Sequence, residues 1–131
     1  MTLGAPITDP EEQLYRQVHP SWIQEGRVTS VAWKPTPKDR GLLSVSRAKR
    51  CTAAESFAHH TQKLQLQSAG VWAVTVQDCT KAKLAVFEDP IEAPVPDPAH
   101  AVIDFRDLSN GEIQAKAQQL KAAALLVHTS R

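Results

Sequence analysis

Glycine is scarce in this chain, five residues in 131 and none beside another. That rules out the phosphate-cradling G-x-x-x-x-G-K-[ST] loop and the G-x-G-x-x-G dinucleotide turn, both of which need clustered glycines for close backbone approach. Cysteine is equally sparse: Cys51 and Cys79 allow one disulfide at most. With no sign of secretion, both are expected to be free thiols in a cytoplasmic protein. The five histidines, His19, His59, His60, His100 and His128, show neither C-x-x-C nor H-x-x-x-H spacing with one another or with the cysteines, so no structural zinc site is expected. Residues 1–12 lack a basic, then apolar, leader pattern, and the longest purely apolar run is 122–127. Neither a signal peptide nor a membrane span is therefore expected. An excess of one charge is also missing. Lys plus Arg total 15 against 14 Asp plus Glu, a formal +1, which does not favour a specific DNA binder.

What is present is a hydrophobic content of 42%, enough for one core in a chain of this length. The whole chain, 1–131, reads as a single globular domain with a proline-rich loop at 89–99 holding Pro90, Pro94, Pro96 and Pro98. Such a segment is neither helix nor central strand. Asp9, Pro10 and Glu12 read as the start of a short N-terminal helix that must end before Pro20, although 14–18 fits a strand equally well. Residues 28–34 and 42–46 read as strands on either side of the turn segment PTPKDRG. Thr52 and Glu55 form a capping box opening a helix over about 53–64. Residues 71–76 read as a central strand, with 84–88 and 100–105 as further strands. Ser109 and Glu112 cap a helix over about 110–127, on which Ile113, Ala117, Leu120, Ala124 and Val127 recur at helical spacing. The expected fold is α+β: a small mixed or antiparallel sheet of about five strands, covered by two main helices plus the short N-terminal one.

Charge is uneven along the chain. Residues 27–50 hold Arg27, Lys34, Lys38, Arg40, Arg47, Lys49 and Arg50 against Asp39 alone, while 88–112 hold seven acids against Arg106. Opposite halves make either a basic face for a phosphate-bearing ligand or two regions that attract one another on folding. Arg47, Lys49 and Arg50 precede the Thr52 cap, where helix amides also favour anions; the alternative is a solvated basic loop.

Candidate chemistry centres on histidine. Glu55 stands one helical turn before His59 and can orient it as a general base, or the two can simply share a solvated face. His100 and Asp104 share one face of a strand, about 13 Å apart at strand rise, too far to bond but able to line one cleft. In LYRQVHPSW, Arg16 and His19 lie close to Tyr15 and Trp22; an arginine beside an aromatic can hold a phosphate or carboxylate while the ring meets a flat ligand. The same cluster can equally anchor the N-terminal segment to the core. Ser44 and Ser46 have no G-x-S-x-G turn around them.

The succession LYR, then GLLSVS, then TAAESF over residues 14–60 resembles small NAD-using ADP-ribosyltransferase-like domains. The resemblance implies that Arg16 contacts the NAD phosphates and that Ser44 is a structural partner. That family also carries a glutamate on a late strand; Asp104 stands there instead. Two functions follow as expectations. The first is a small cytosolic binding or accessory domain acting through a protein partner, by way of the proline segment, the acidic stretch or the basic loop, and needing no cofactor. The alternative is a small enzyme or toxin directed at NAD or RNA, with NAD as substrate only, in which Arg16, His19, Ser44, Arg47, Lys49 and Arg50 bind phosphate. In that enzyme His59, His100, Glu55 and Asp104 do the acid–base work.

Overall fold

In the computed structural model, described over residues 3–129, the chain is α+β. A six-stranded antiparallel sheet has the order β6-β7-β4-β1-β5-β8. Its strands are β1 (Gln13–Val18), β4 (Leu42–Arg47), β5 (Gly70–Thr75), β6 (Val86–Glu88), β7 (His100–Asp104) and β8 (Leu125–Thr129). A small hairpin, β2 (Ile23–Gln24) with β3 (Arg27–Val28), lies apart from it. Helices are α1 (Ala53–Ala58), α2 (Val76–Lys81) and α3 (Asn110–Ala123). Among the described residues no helix is long and apolar enough to cross a membrane.

Strand alternation sorts the sheet into two faces. One carries Leu14, Val18, Leu43, Val45, Val74, Ala101 and Ile103 into the main core, where they meet Trp33, Phe105 and, from α3, Ala117 and Leu120. The other carries Tyr15, Val71 and Ala73, packed against Ala53 and Phe57 of α1. The second core is small and covers only the β1–β5 side. Beyond it the sheet surface is polar, with Ser44 and Ser46 of β4 opposite Val102 and His100 of β7.

Four expected elements differ. Residues 9–12 form a turn rather than a helix: the Asp9 carboxylate accepts from the Glu11 amide at 3.0 Å, and the Glu12 carbonyl already accepts from the Val76 amide at 3.0 Å. Pairing with the sheet claims the backbone before a helical turn can close. Residues 30–33 form a 3-10 turn after β3, which buries Trp33 fully and leaves Val31 48% exposed, so the alternation of large side chains there did not mark a strand. Helix α1 stops at Ala58 and gives way to a π-turn, His59–Lys63, closed by Leu64 N–H to the His59 carbonyl at 3.0 Å. Helix α3 ends at Ala123, and 125–129 pair with β5 instead of extending it. Without β8, the outer edge of β5 would be left without ladder partners; satisfying it outweighs the helical periodicity of Ala124 and Val127. Helix α2, which follows directly on the strand expected over 71–76, opens on a box of Thr75 and Asp78 with the same spacing as those of α1 and α3.

Candidate functional site

The sheet opens between its two central strands. Strand β1 pairs with β5 along its full length but with β4 only at Leu14↔Arg47 and Tyr15↔Ser46. Past that point β1 and β4 diverge, and the Arg16 side chain spans the gap. Its Nε donates to the Ala32 carbonyl at 2.8 Å and its Nη1 to the Ser44 carbonyl at 3.0 Å, while Cζ lies 5.3 Å from the centre of the Trp22 ring. Both oxygens are neutral, and among the described residues no carboxylate comes within ion-pairing distance of Arg16. Burial pushes the guanidinium down to about 10, opposed by the more distant Asp39, so it keeps its charge at neutral pH.

Above this gap lies a cavity of about 780 Å³, walled by β1, β4, the end of α1 with its π-turn, and the proline segment. Arg16, His19, Trp22, Ser44, His59, His60 and His100 all line it, so four of the five histidines, from three separate parts of the chain, face one space. The proline segment forms a wall through Ile91, Pro94, Val95 and Asp97, held by a bridge between Ile91 and Asp97. A smaller lobe of about 310 Å³ shares Ser46, Ser56, His59 and Asp97 with the larger and adds Arg50, Glu55 and Lys63.

Each imidazole is held differently. His100 Nδ1 lies 2.8 Å from the Asp89 carbonyl and 3.2 Å from its carboxylate. His59 Nε2 lies 3.1 Å from the Pro96 carbonyl. His19 Nδ1 accepts from the Ser21 amide at 3.0 Å, which caps a short 3-10 turn. His60 is held below the ordinary imidazole range, first by burial and then by the positive charges of Arg16, His59 and His19, against a backbone hydrogen bond with Gln67. That His59 and His60 both reach the cavity, although adjacent on the chain, coincides with the π-turn, which inserts a residue into the helical turn. Polar links tie floor to helix: Gln17 Nε2 donates to Ser56 Oγ at 2.8 Å and Ser56 Oγ to Ser46 Oγ at 3.1 Å.

Other expected site residues stand elsewhere. Glu55 does not meet His59; its carboxylate accepts from the Thr52 amide at 2.8 Å, the cap having the stronger geometric claim. Asp104 lies outside both lobes, bound by Arg106 Nε and Nη2 at 3.0 Å each, so it shares no cleft with His100. The basic run is largely neutralised by acids. Arg47 makes a bidentate pair with Glu12, 3.0 Å on each oxygen, and reaches Glu88 at 2.8 Å; Lys49 pairs with Asp9 at 2.6 Å. Only Arg50, 3.7 Å from Glu88, also lines a lobe. Most of this pairing is with the N-terminal acids Asp9 and Glu12; among the described residues Glu88 is the one member of the acidic stretch 88–112 that these basic residues reach. Sequence reasoning passed over Gln17, Asp89 and Asp97, because nothing in their spacing links them to the histidines they accompany, and it gave Ser56, one helical turn from His59 and His60, no role of its own.

The thiols are not poised for chemistry: burial pushes Cys51 up to about 11 and Cys79 to about 12, leaving both protonated at neutral pH. Both are free. Among the described residues no group of three or more His, Cys, Asp or Glu side chains is arranged to hold a metal ion. No protein-family model matches this chain, and no curated protein or solved structure matches it either.

Proposed function

We propose that the chain binds a phosphate-bearing ligand with a flat ring, of nucleotide type, in the cavity between β1 and β4. The observation that carries this reading is Arg16: a charged guanidinium with two neutral carbonyl partners and no counter-ion among the described residues, facing a space lined by four imidazoles. Only Asp97 among the residues lining the larger lobe is acidic. A half-buried cation without a carboxylate is a favourable anion site, because the incoming anion supplies the pairing the fold withholds. Trp22, against Arg16, offers an apolar flat surface at the same end. The volume falls in the usual range for small-molecule sites.

Docking of a protein partner through the proline segment or the basic loop has less support, since the first is spent walling the cavity and the second is paired with Glu12, Glu88 and Asp9. An NMR titration of labelled protein with NAD and with a short RNA tests the reading. Shifts at Arg16, Trp22 and the cavity histidines that survive moderate salt, and that Arg16→Met abolishes, are expected. Diffuse shifts that vanish with salt would overturn it.

A further inference from the structure

We propose, resting on the nucleotide reading above, that the cavity cleaves a ribonucleotide phosphodiester by internal transphosphorylation, with His100 as general base and His59 as general acid. A main-chain carbonyl only accepts hydrogen bonds, so the ring nitrogen facing it carries the hydrogen. His100 is thus a donor at Nδ1, to the carbonyl of Asp89, and its Nε2 lone pair is left for the cavity. Asp89 adds its carboxylate at 3.2 Å on the same nitrogen, which orients the ring and stabilises the cation formed when Nε2 takes a proton. His59 is tethered the other way round, at Nε2 to the Pro96 carbonyl, and its free nitrogen is Nδ1. When protonated there, it has a hydrogen to give while the tether stays intact.

Both rings line the same cavity. Ser46 stands directly across from His100 in the β4–β7 ladder, its hydroxyl is 3.1 Å from that of Ser56, and Ser56 lies one helical turn before His59. Each of the outer steps is a neighbour step of about 5 Å, so the two histidine side chains are rooted within about 13 Å of each other along a path through Ser46 and Ser56 on the cavity wall. His59 also sits where the two lobes meet, with Ser46, Ser56 and Asp97. A ligand with two nucleoside halves fits one in each lobe with its linking phosphate at this junction. Arg16 on the larger side and Arg50 and Lys63 on the smaller are the cations available to it.

The step balances without a co-reactant. The ribose 2′-oxygen attacks phosphorus as its proton passes to His100 Nε2; the bond from phosphorus to the 5′-oxygen breaks as that oxygen takes the proton from His59 Nδ1. The products are a 2′,3′-cyclic phosphate and a 5′-hydroxyl. Cleavage of the NAD glycosidic bond is less favoured by this site, since the late-strand acid of the resemblance, Asp104, is outside the cavity and tied to Arg106.

The test uses a DNA oligonucleotide carrying a single ribose, its all-deoxy counterpart, and NAD. Expected are cleavage at the ribose alone, a cyclic phosphate identified by phosphorus NMR, and a bell-shaped pH profile. Charged and titratable groups around the pair that also shape this profile are Asp89, Asp97, Glu55, Arg50, Lys63, Arg16, His19 and His60. His59→Gln and His100→Gln should each lower the rate about 100-fold or more while the all-deoxy strand still binds. Asp89→Asn should reduce it less and move the basic-group limb of the profile, which a merely structural change would not do. Binding of the all-deoxy strand with no ribose-dependent cleavage, turnover of NAD instead, or variants cleaving as fast as the parent would overturn the inference and leave the nucleotide reading standing. Failure of every probe to bind would overturn both.

Discussion

Replacing Arg47 by alanine gives the most direct measure of whether this basic residue holds the fold or serves the ligand. The Arg47 side chain is 12% exposed and that of Glu12 only 1%, and the guanidinium holds both Glu12 oxygens at 3.0 Å. Without it the Glu12 carboxylate keeps just the Lys49 amide, at 3.4 Å. Removing one partner of a buried pair leaves an uncompensated charge, at a cost of about 3–5 kcal/mol. That is a large share of the roughly 5–15 kcal/mol that holds a domain together, equivalent to a fall of roughly 10–20 °C in Tm for a chain of this length. The Glu88 carboxylate adds little to the loss, because at 32% exposure it regains water. Urea unfolding of the parent and of Arg47→Ala measures the difference, and Glu12→Leu combined with Arg47→Met should recover most of it, since an apolar pair replaces a buried ionic one at little cost. Lys49→Ala, which removes an exposed pair with Asp9, should cost less than about 1 kcal/mol. A loss below about 1 kcal/mol for Arg47→Ala would refute the view that this arginine is structural, and a loss of nucleotide binding with stability intact would return it to the ligand.

Two further outcomes are expected. Gly70→Ala should destabilise by about 1–3 kcal/mol, because a Cβ there would sit 2.7 Å from the His128 carbonyl and push β8 off the sheet, whereas Gly111→Ala, with open space in the first turn of α3, should stabilise by up to about 1 kcal/mol; thermal melts of the two variants decide it. Asp104 is held below its ordinary 3.8, first by the Arg106 side chain and then by the Arg106 amide, against desolvation. A depressed carboxylate stabilises above its unfolded value and loses that contribution as pH falls through the folded one. Asp104→Asn should therefore lower stability at pH 6 and leave a shallower loss toward pH 2 than the parent, measured as urea midpoints across that range; an unchanged difference at both ends would contradict the assignment.

Local signals survived where a few neighbouring residues decide the outcome. The capping boxes of Thr52 with Glu55 and of Ser109 with Glu112 start α1 and α3 as their spacing implies, each serine or threonine hydroxyl meeting the amide three residues on. The central strand at 70–75 and the strand at 100–104 were equally plain from apolar content and alternation. The α+β class follows from those elements.

What the chain alone did not disclose depends on partners distant in sequence. The end of α3 and the conversion of 125–129 into β8 hinge on the free edge of β5, more than fifty positions earlier, which no local periodicity contains. Arg16 was visible as a candidate, but its lack of a counter-ion among the described residues was not, since that depends on how β1 and β4 part after a two-residue ladder. Likewise the four histidines were legible only as residue types. Their meeting on one cavity follows from the ladder that carries His100, the π-turn that carries His59 and His60, and the 3-10 turn capped by His19. Capping and alternation act over a few residues and are written into the sequence; strand order, charge pairing and the convergence of side chains are long-range contacts, chosen only when the whole sheet satisfies its hydrogen bonds at once.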